Sequence, residues 1–199
     1  MNSGVHVRKA TAADVPHLAA MLARAFDDDP VAMFLFPEER RRRAGLRRFF
    51  KIQLRATFLR DDECYTTDDV VGGALWAAPG RPKPGLRDLV RLTPIIPMLG
   101  RRLPRALQFL GAVEAKHPKD RPHFYLGVLG TDPPWQGKGV GSALLEPVLE
   151  RCDADGIPAY LESSKERNVP FYARHGWEVT EELEPEGAPK LWLMWREPR

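Results

Sequence analysis

The chain has 199 residues, enough for one domain with its own core. Its 43% hydrophobic and 29% charged content is that of a soluble globule, and no apolar run approaches the ~20 residues of a membrane span. A net charge of +3 is too small to imply a nucleic-acid partner, Cys64 and Cys152 are too far apart for a disulfide framework, and the five histidines show no metal spacing, so no metal is expected.

Residues 5–10 alternate like a first strand. Thr11 or Asp14 can cap the next helix, and Pro16 in its first turn favours Asp14. Val15, Leu18, Leu22, Ala25 and Phe26 share one helical face, and Asp27, Asp28, Asp29 and Pro30 end the helix. Leu46, Phe50, Leu54 and Phe58 recur every four residues and predict a second helix over about residues 38–59. Its start carries Arg40, Arg41, Arg42 and Arg43, read as a solvated face in preference to contact with an anionic partner. Residues 63–67 and 70–78 read as a hairpin turning at Asp68 and Asp69.

Residues 79–85 break that pattern with three prolines and two glycines. Leu86, Leu89, Val90 and Leu92 then begin a helix, Pro94 and Pro97 interrupt, and residues 104–116 form another. About residues 80–120 are therefore a helical insert between the third and fourth strands, too ordered in pattern for a linker.

Residues 123–129 are dense in aromatic and aliphatic side chains and read as a buried strand, stopped by Gly130, Pro133 and Pro134. Gln136, Gly137, Lys138, Gly139, Val140 and Gly141 follow, and Ser142 leads into a helix. A strand, a glycine-rich turn and a helix N-terminus make an anion site, which points to a phosphorylated cofactor. It is not a P-loop, because Gly139 follows Lys138, nor a dinucleotide fingerprint, which needs Gly-x-Gly-x-x-Gly near the first strand. The helix over 140–152 contains Pro147, where a kink is expected. Residues 159–163 form a fifth strand, 168–175 a short helix closed by Gly176, and 177–183 and 190–196 the last two strands. The order β-α-α-β-β-(insert)-β-α-β-α-β-β is α/β without parallel repeats.

Gln136, Gly139 and Gly141 fill the pattern Gln/Arg-x-x-Gly-x-Gly/Ala, and Asn168, Tyr172, Gly176 and Trp177 follow as Asn…Tyr-x-x-x-Gly-Trp. Two motifs in this order resemble the GNAT superfamily of acetyl-CoA-dependent N-acetyltransferases, with Trp177 in place of the common Phe. The resemblance implies a GNAT fold, a mixed and mostly antiparallel twisted sheet with flanking helices. It implies acetyl-CoA as co-substrate, its pyrophosphate on the amides of Gly137, Lys138, Gly139, Val140, Gly141 and Ser142. The pantetheine arm is expected beside Leu129, Gly130 and Thr131, where the fourth and fifth strands splay. Gly127 and Gly130 are consistent with close backbone approach there. Asn168 is expected to bond the arm, to cap its helix, or both.

The resemblance makes Tyr172 the general acid. The base is left between Glu162 on the fifth strand, His123 at the start of the fourth, and a water chain. Tyr125 shares the alternation of His123, and Asp27, Asp28 and Asp29 lie in the turn that lines the acceptor side. These four are the expected substrate contacts. The implied enzyme is cytoplasmic and acetylates a primary amine of a small molecule, an aminonucleoside antibiotic among the options, by direct attack in a ternary complex. A protein or peptide acetyltransferase and a catalytically silent acyl-CoA sensor are the alternatives. No nucleic-acid or membrane partner is expected, and a homodimer is left open. Leu86, Leu89, Ile95, Ile96, Leu107, Phe109 and Leu110 of the insert are expected to pack over the acceptor end and narrow it to a pocket.

Overall fold

A computed structural model describes residues 4–80 and 93–199. Its centre is a seven-stranded sheet in the order β1-β2-β3-β4-β5-β7-β6. The strands are β1 (Val7–Lys9), β2 (Cys64–Thr67), β3 (Gly72–Ala77), β4 (Phe124–Thr131), β5 (Ala159–Ser163), β6 (Glu178–Leu183) and β7 (Leu191–Arg196). Every neighbouring pair is antiparallel except β4 and β5. The mixed, mostly antiparallel α/β fold expected above is therefore the observed one.

Three apolar clusters hold helices to the two faces of the sheet. On one face α6 (Val140–Asp155) buries Leu144, Leu145 and Val148 against Trp76, Phe124, Leu126, Leu161 and Met194. Each such leucine contributes about 1.5–3 kcal/mol by leaving water. The helix runs through Pro147, which supplies no N–H to the carbonyl of Ala143. Trp177 joins this cluster and stacks on Trp76, ring centroids 6.3 Å apart, so the larger ring fills core volume.

On the other face α1 (Val15–Ala25) and α3 (Glu39–Ala56) cover β2, β3 and β4. Beside them α2 (Pro30–Leu35) and α5 (Leu103–Lys116) cover β5 and β7, with Phe34 and Phe109 in ring contact at 5.8 Å. The acidic turn ends α1, as expected, but it also starts α2. The Asp29 side chain accepts from the N–H groups of Val31 and Ala32, and Pro30 sits in the first turn. Asp14 is the N-cap residue of α1, but its carboxylate turns back to Thr11 and Arg8 instead of capping.

Among the described residues the insert differs from its prediction in two ways. Its expected first helix, with Leu86, Leu89, Val90 and Leu92, lies outside the described residues. Pro97 does not interrupt a helix but begins the one-turn α4 (Ile96–Leu99), where its missing N–H costs nothing. Ile95 and Phe109 are buried, whereas Leu107 and Leu110 are 41% and 44% exposed on the outer face of α5. The arginine-rich start of α3 is partly spent on local ion pairs. Arg42 and Arg43 both bind Asp27, Arg41 binds Glu38, and the helix's Arg47, Arg48, Lys51 and Arg55 are exposed.

One irregularity shapes the rest. Leu75 pairs with Val128 and Trp76 with Leu126, so Gly127 is the extra residue of a β-bulge in β4. Phe124 and Leu126 face α6 before it, and Leu129 faces α6 after it, so the bulge reverses the alternation. A Cβ on Gly127 would stand 2.8 Å from Phe58, and one on Gly130 2.7 Å from Leu22. These glycines make room for core side chains on the α1 and α3 face. Gly127→Ala is expected to overpack Phe58 and cost about 1–3 kcal/mol, read as a lower midpoint in urea unfolding. An unchanged midpoint would mean that Phe58 swings aside freely.

Candidate active site

The cleft follows from how β4 leaves β5. The two strands pair only from Phe124 to Leu126 against Ala159 to Leu161. Beyond the Gly127 bulge β4 bends away, and its edge over residues 127–131 has no strand beside it. A cleft of about 440 Å³ fills the gap, lined by that edge, by Glu162 and Ser163 of β5, and by Asn168 and Tyr172. A polar strand edge inside a cleft can pair with an extended polar ligand as an added strand.

At one end of this cleft the chain turns through Pro133–Trp135 into α6. Gly137 and Gly139 have φ of +73° and +82°, a region that side chains disfavour. Gly139 is the N-cap residue, and the first helical bond runs from Ala143 N to the Gly139 carbonyl at 3.0 Å. The N–H groups of Val140, Gly141 and Ser142 therefore have no intrahelical acceptor. The Gln136 side chain donates to the Thr131 carbonyl at 3.2 Å and ties the turn to the end of β4. The turn is exposed, and Lys138 lies over the Trp135 ring at 5.0 Å. Free amides, a helix N-terminus and a cation fit a diphosphate group.

The acidic turn proves to be a clasp. The Asp27 carboxylate accepts from Arg42 Nε at 3.0 Å and Arg43 Nε at 3.2 Å. Asp28 binds Lys165 and Arg167, and Asp29 accepts from the Ser164 hydroxyl, all three partners lying between β5 and α7 (Val169–Arg174). Burial works against the charge of Asp28, but Lys165 and Arg167 outweigh it and hold the carboxyl below its ordinary range. Asp28 and Asp29 thus tie the turn to the segment after β5, Asp27 ties it to α3, and the three are not a free acidic patch. Of them, only Asp29 lines the cleft.

Tyr172 is 8% exposed at the cleft wall, and no described residue hydrogen-bonds its hydroxyl. Burial, and then the charge of Asp29, raise the phenol well above its ordinary value, so it keeps its proton at any physiological pH. Asn168 stands at the N-cap of α7, but its side chain makes no cap bond, which leaves the amide to the cleft.

Glu162 lines the cleft with its side chain only 7% exposed. His123 and Tyr125 do not line it. They sit behind Glu162, beneath the end of α5, because side chains ahead of the bulge at odd positions point to that face. His117, from the end of α5, joins the three. Its Nδ1 is 3.6 Å from Glu162 Oε1 and its Nε2 is 3.2 Å from His123 Nε2. Its ring packs edge-on against Tyr125 and Tyr160 at 5.2 and 5.0 Å. Burial first, and then the charge of Glu162, raise both phenols. Sequence reasoning missed His117. The available signal was a second histidine six residues before His123, across a proline-bearing turn. It also missed the clasp residues Ser164, Lys165 and Arg167, which carry no motif. Among the described residues no three His, Cys, Asp or Glu side chains converge to hold a metal ion. No described helix is long and apolar enough to cross a membrane.

This geometry is that of known acyltransferases. The model of the Acetyltransferase (GNAT) family matches residues 100–177. An uncharacterized N-acetyltransferase of Schizosaccharomyces pombe is 30% identical over 181 residues, which is 85% of this chain and 73% of that protein. A Corynebacterium glutamicum structure described as histone acetyltransferase HPA2 and related acetyltransferase is 27% identical over 98% of this chain and 97% of its own, with a TM-score of 0.70. The PaiA N-acetyltransferase of Thermoplasma acidophilum, solved in complex with coenzyme A, shares the fold at 14% identity over 98% of this chain and 99% of its own, with a TM-score of 0.59. The chain belongs to the GNAT family of N-acetyltransferases, and it is an acetyl-CoA-dependent acyltransferase.

Gly139→Asp would force a side chain into a left-handed backbone and set a negative charge at the start of α6. Coenzyme A affinity is expected to fall at least tenfold in calorimetric titration, with the circular dichroism spectrum unchanged. Unaltered affinity would remove this turn from the binding site.

Proposed function

We propose that this enzyme acetylates the primary amine of a compact small molecule by direct attack in a ternary complex. One observation carries the reading: the cleft is bounded on both sides, by residues 25–29 and 126–131 and by residues 161–174, and Glu162 in it is backed by the end of the insert helix α5. A cleft of about 440 Å³ suits a small molecule better than a protein chain. Residues 136–147 (QGKGVGSALLEP) and 161–177 (LESSKERNVPFYARHGW) resemble puromycin N-acetyltransferase, which supports an aminonucleoside as one acceptor. The buried cysteines Cys64 and Cys152 support a reducing, cytoplasmic setting. Burial pushes the Cys152 thiol up to about 12, so it serves the core and not the chemistry.

Bound acetyl-CoA supplies the acetyl thioester. The turn over residues 137–142 holds its diphosphate, and the β4 edge with Asn168 aligns its arm. Backbone amide near Leu129 polarises the thioester carbonyl. Glu162 accepts the proton of the amine, and Tyr172 gives its phenolic proton to the departing sulfur. A raised phenol suits an acid that must stay loaded: its proton is present below its own pKa and is lost only above it. In the unaltered enzyme kcat is therefore expected to show no alkaline fall from this group until well above pH ~10.

Tyr172→Phe keeps the ring and removes the proton. It is expected to lower kcat on the order of 10²-fold, with little change in acetyl-CoA binding. Full kcat where chemistry is rate-limiting would remove Tyr172 from the mechanism. The acceptor is tested with a panel of aminonucleosides, aminoglycosides, polyamines, arylalkylamines and peptides, followed by thiol release. Turnover is expected with one of the small amines. Turnover of peptides alone would make this a peptide acetyltransferase, and coenzyme A binding without turnover of any amine would make it a sensor.

A further inference from the structure

The acetyl-transfer reading leaves a proton on Glu162, and the side chains behind it say where that proton goes. His123 Nδ1 lies 2.8 Å from the Arg121 carbonyl, which can only accept, so Nδ1 carries the hydrogen. A neutral His123 then offers the lone pair of Nε2 to His117 Nε2 at 3.2 Å. His117 meets that lone pair by donating from Nε2, which leaves its own Nδ1 as a lone pair facing Glu162 Oε1 at 3.6 Å. The other tautomer of His117 satisfies Glu162 but opposes two lone pairs across the 3.2 Å contact. With both rings neutral and Glu162 ionised, one contact in the row is always unfavourable. One added proton removes the conflict. The His117 Nδ1 is buried without a hydrogen-bond partner, which marks the vacancy.

We propose that His117 relays the substrate's proton from Glu162 to His123 and so to solvent. The ammonium form of the acceptor loses a proton to a Glu162 oxygen and becomes the nucleophilic amine. Glu162 passes that proton to His117 Nδ1, and His117 passes its Nε2 proton to His123 Nε2. The half-buried His123, beside exposed Arg121, releases the Nε2 proton to water, and His117, left as its Nδ1–H tautomer, returns to the Nε2–H form by proton exchange before the next turnover. The 3.6 Å gap exceeds a hydrogen bond, as catalytic contacts in unliganded sites commonly do before substrate tightens them.

The charged surroundings are compatible with a row that gains and loses one proton. Glu162 is on β5, with Tyr125 on β4 and Tyr160 on β5 beside it. Both phenols stay protonated there. Glu114 on α5 and Glu181 on β6 add negative charge nearby, the latter paired with Lys116. Arg121 is turned outward to Glu197. The acceptor's proton thus travels toward negative charge and away from the cations of the coenzyme turn.

His117→Ala and His117→Gln test the relay. Both are expected to lower kcat/KM on the order of 10²-fold, with coenzyme A affinity unchanged. Free imidazole should restore activity to His117→Ala, where the ring has left a space, and not to His117→Gln, where the amide fills it. Full activity in either variant, or a loss that imidazole does not relieve in His117→Ala, overturns the relay. A second readout needs no turnover. In ¹⁵N-histidine spectra of the whole protein, His123 should appear as the Nδ1–H tautomer, and Glu162→Gln should move the ring resonances of both His117 and His123. A change confined to His117 would break the row. If the unaltered protein acetylates no amine, the proposed function fails, and these spectra still decide whether the proton row exists.

Discussion

The structure depends on the parting of β4 from β5. Both strands are interior to the sheet, each with a partner on its far side. A seam that stayed closed would satisfy the backbone and leave no site. The bulge at Gly127 prevents closure. It adds one residue to β4, bends the strand, and reverses which side chains face α6. Three ladder pairs hold the strands together at one end, and past Leu126 the edge is free for a ligand. Phe58 fills the space under the glycine, so the bend is locked by the same core that holds α1 and α3.

The remaining elements divide the work around that opening. The α6 N-terminus and its glycine turn offer amides and positive potential at one end. The insert helix α5 delivers His117 to Glu162. The acidic turn between α1 and α2 crosses the cleft and binds the segment after β5. Asp27 and Asp28 are paired with cations there, while Asp29 keeps its charge beside Tyr172. Tyr172 lies between these parts, in a wall dry enough to keep its proton. The chemistry comes from where charges are excluded as much as from where they are placed. Burial raises the phenols of Tyr125, Tyr160 and Tyr172, and a raised phenol is a donor at neutral pH.

What the sequence by itself determined is the local part. Alternation and four-residue spacing marked the strands and most of the helices, because period and capping are written in neighbouring residues. The loop around Gly139 and the segment from Asn168 to Trp177 were legible for the same reason, since an anion turn and a short helix are local objects. Asp29 and Pro30 were legible as a stop, but not as the start of α2, because the same two residues end one helix and cap the next. Only the tertiary structure decided what lies across the cleft. Gly127 and Gly130 read in the sequence only as places for backbone approach, and the fold shows that they also leave space for Phe58 and Leu22, 69 and 108 residues earlier in the chain. Asp27, Asp28 and Asp29 look like an acidic patch until their cationic and hydroxyl partners fold against them. His117 and Glu162 are 45 residues apart and carry no shared motif. Their meeting depends on the length of the insert and the register of β5, and side-chain contacts of that range leave no periodic trace in the chain.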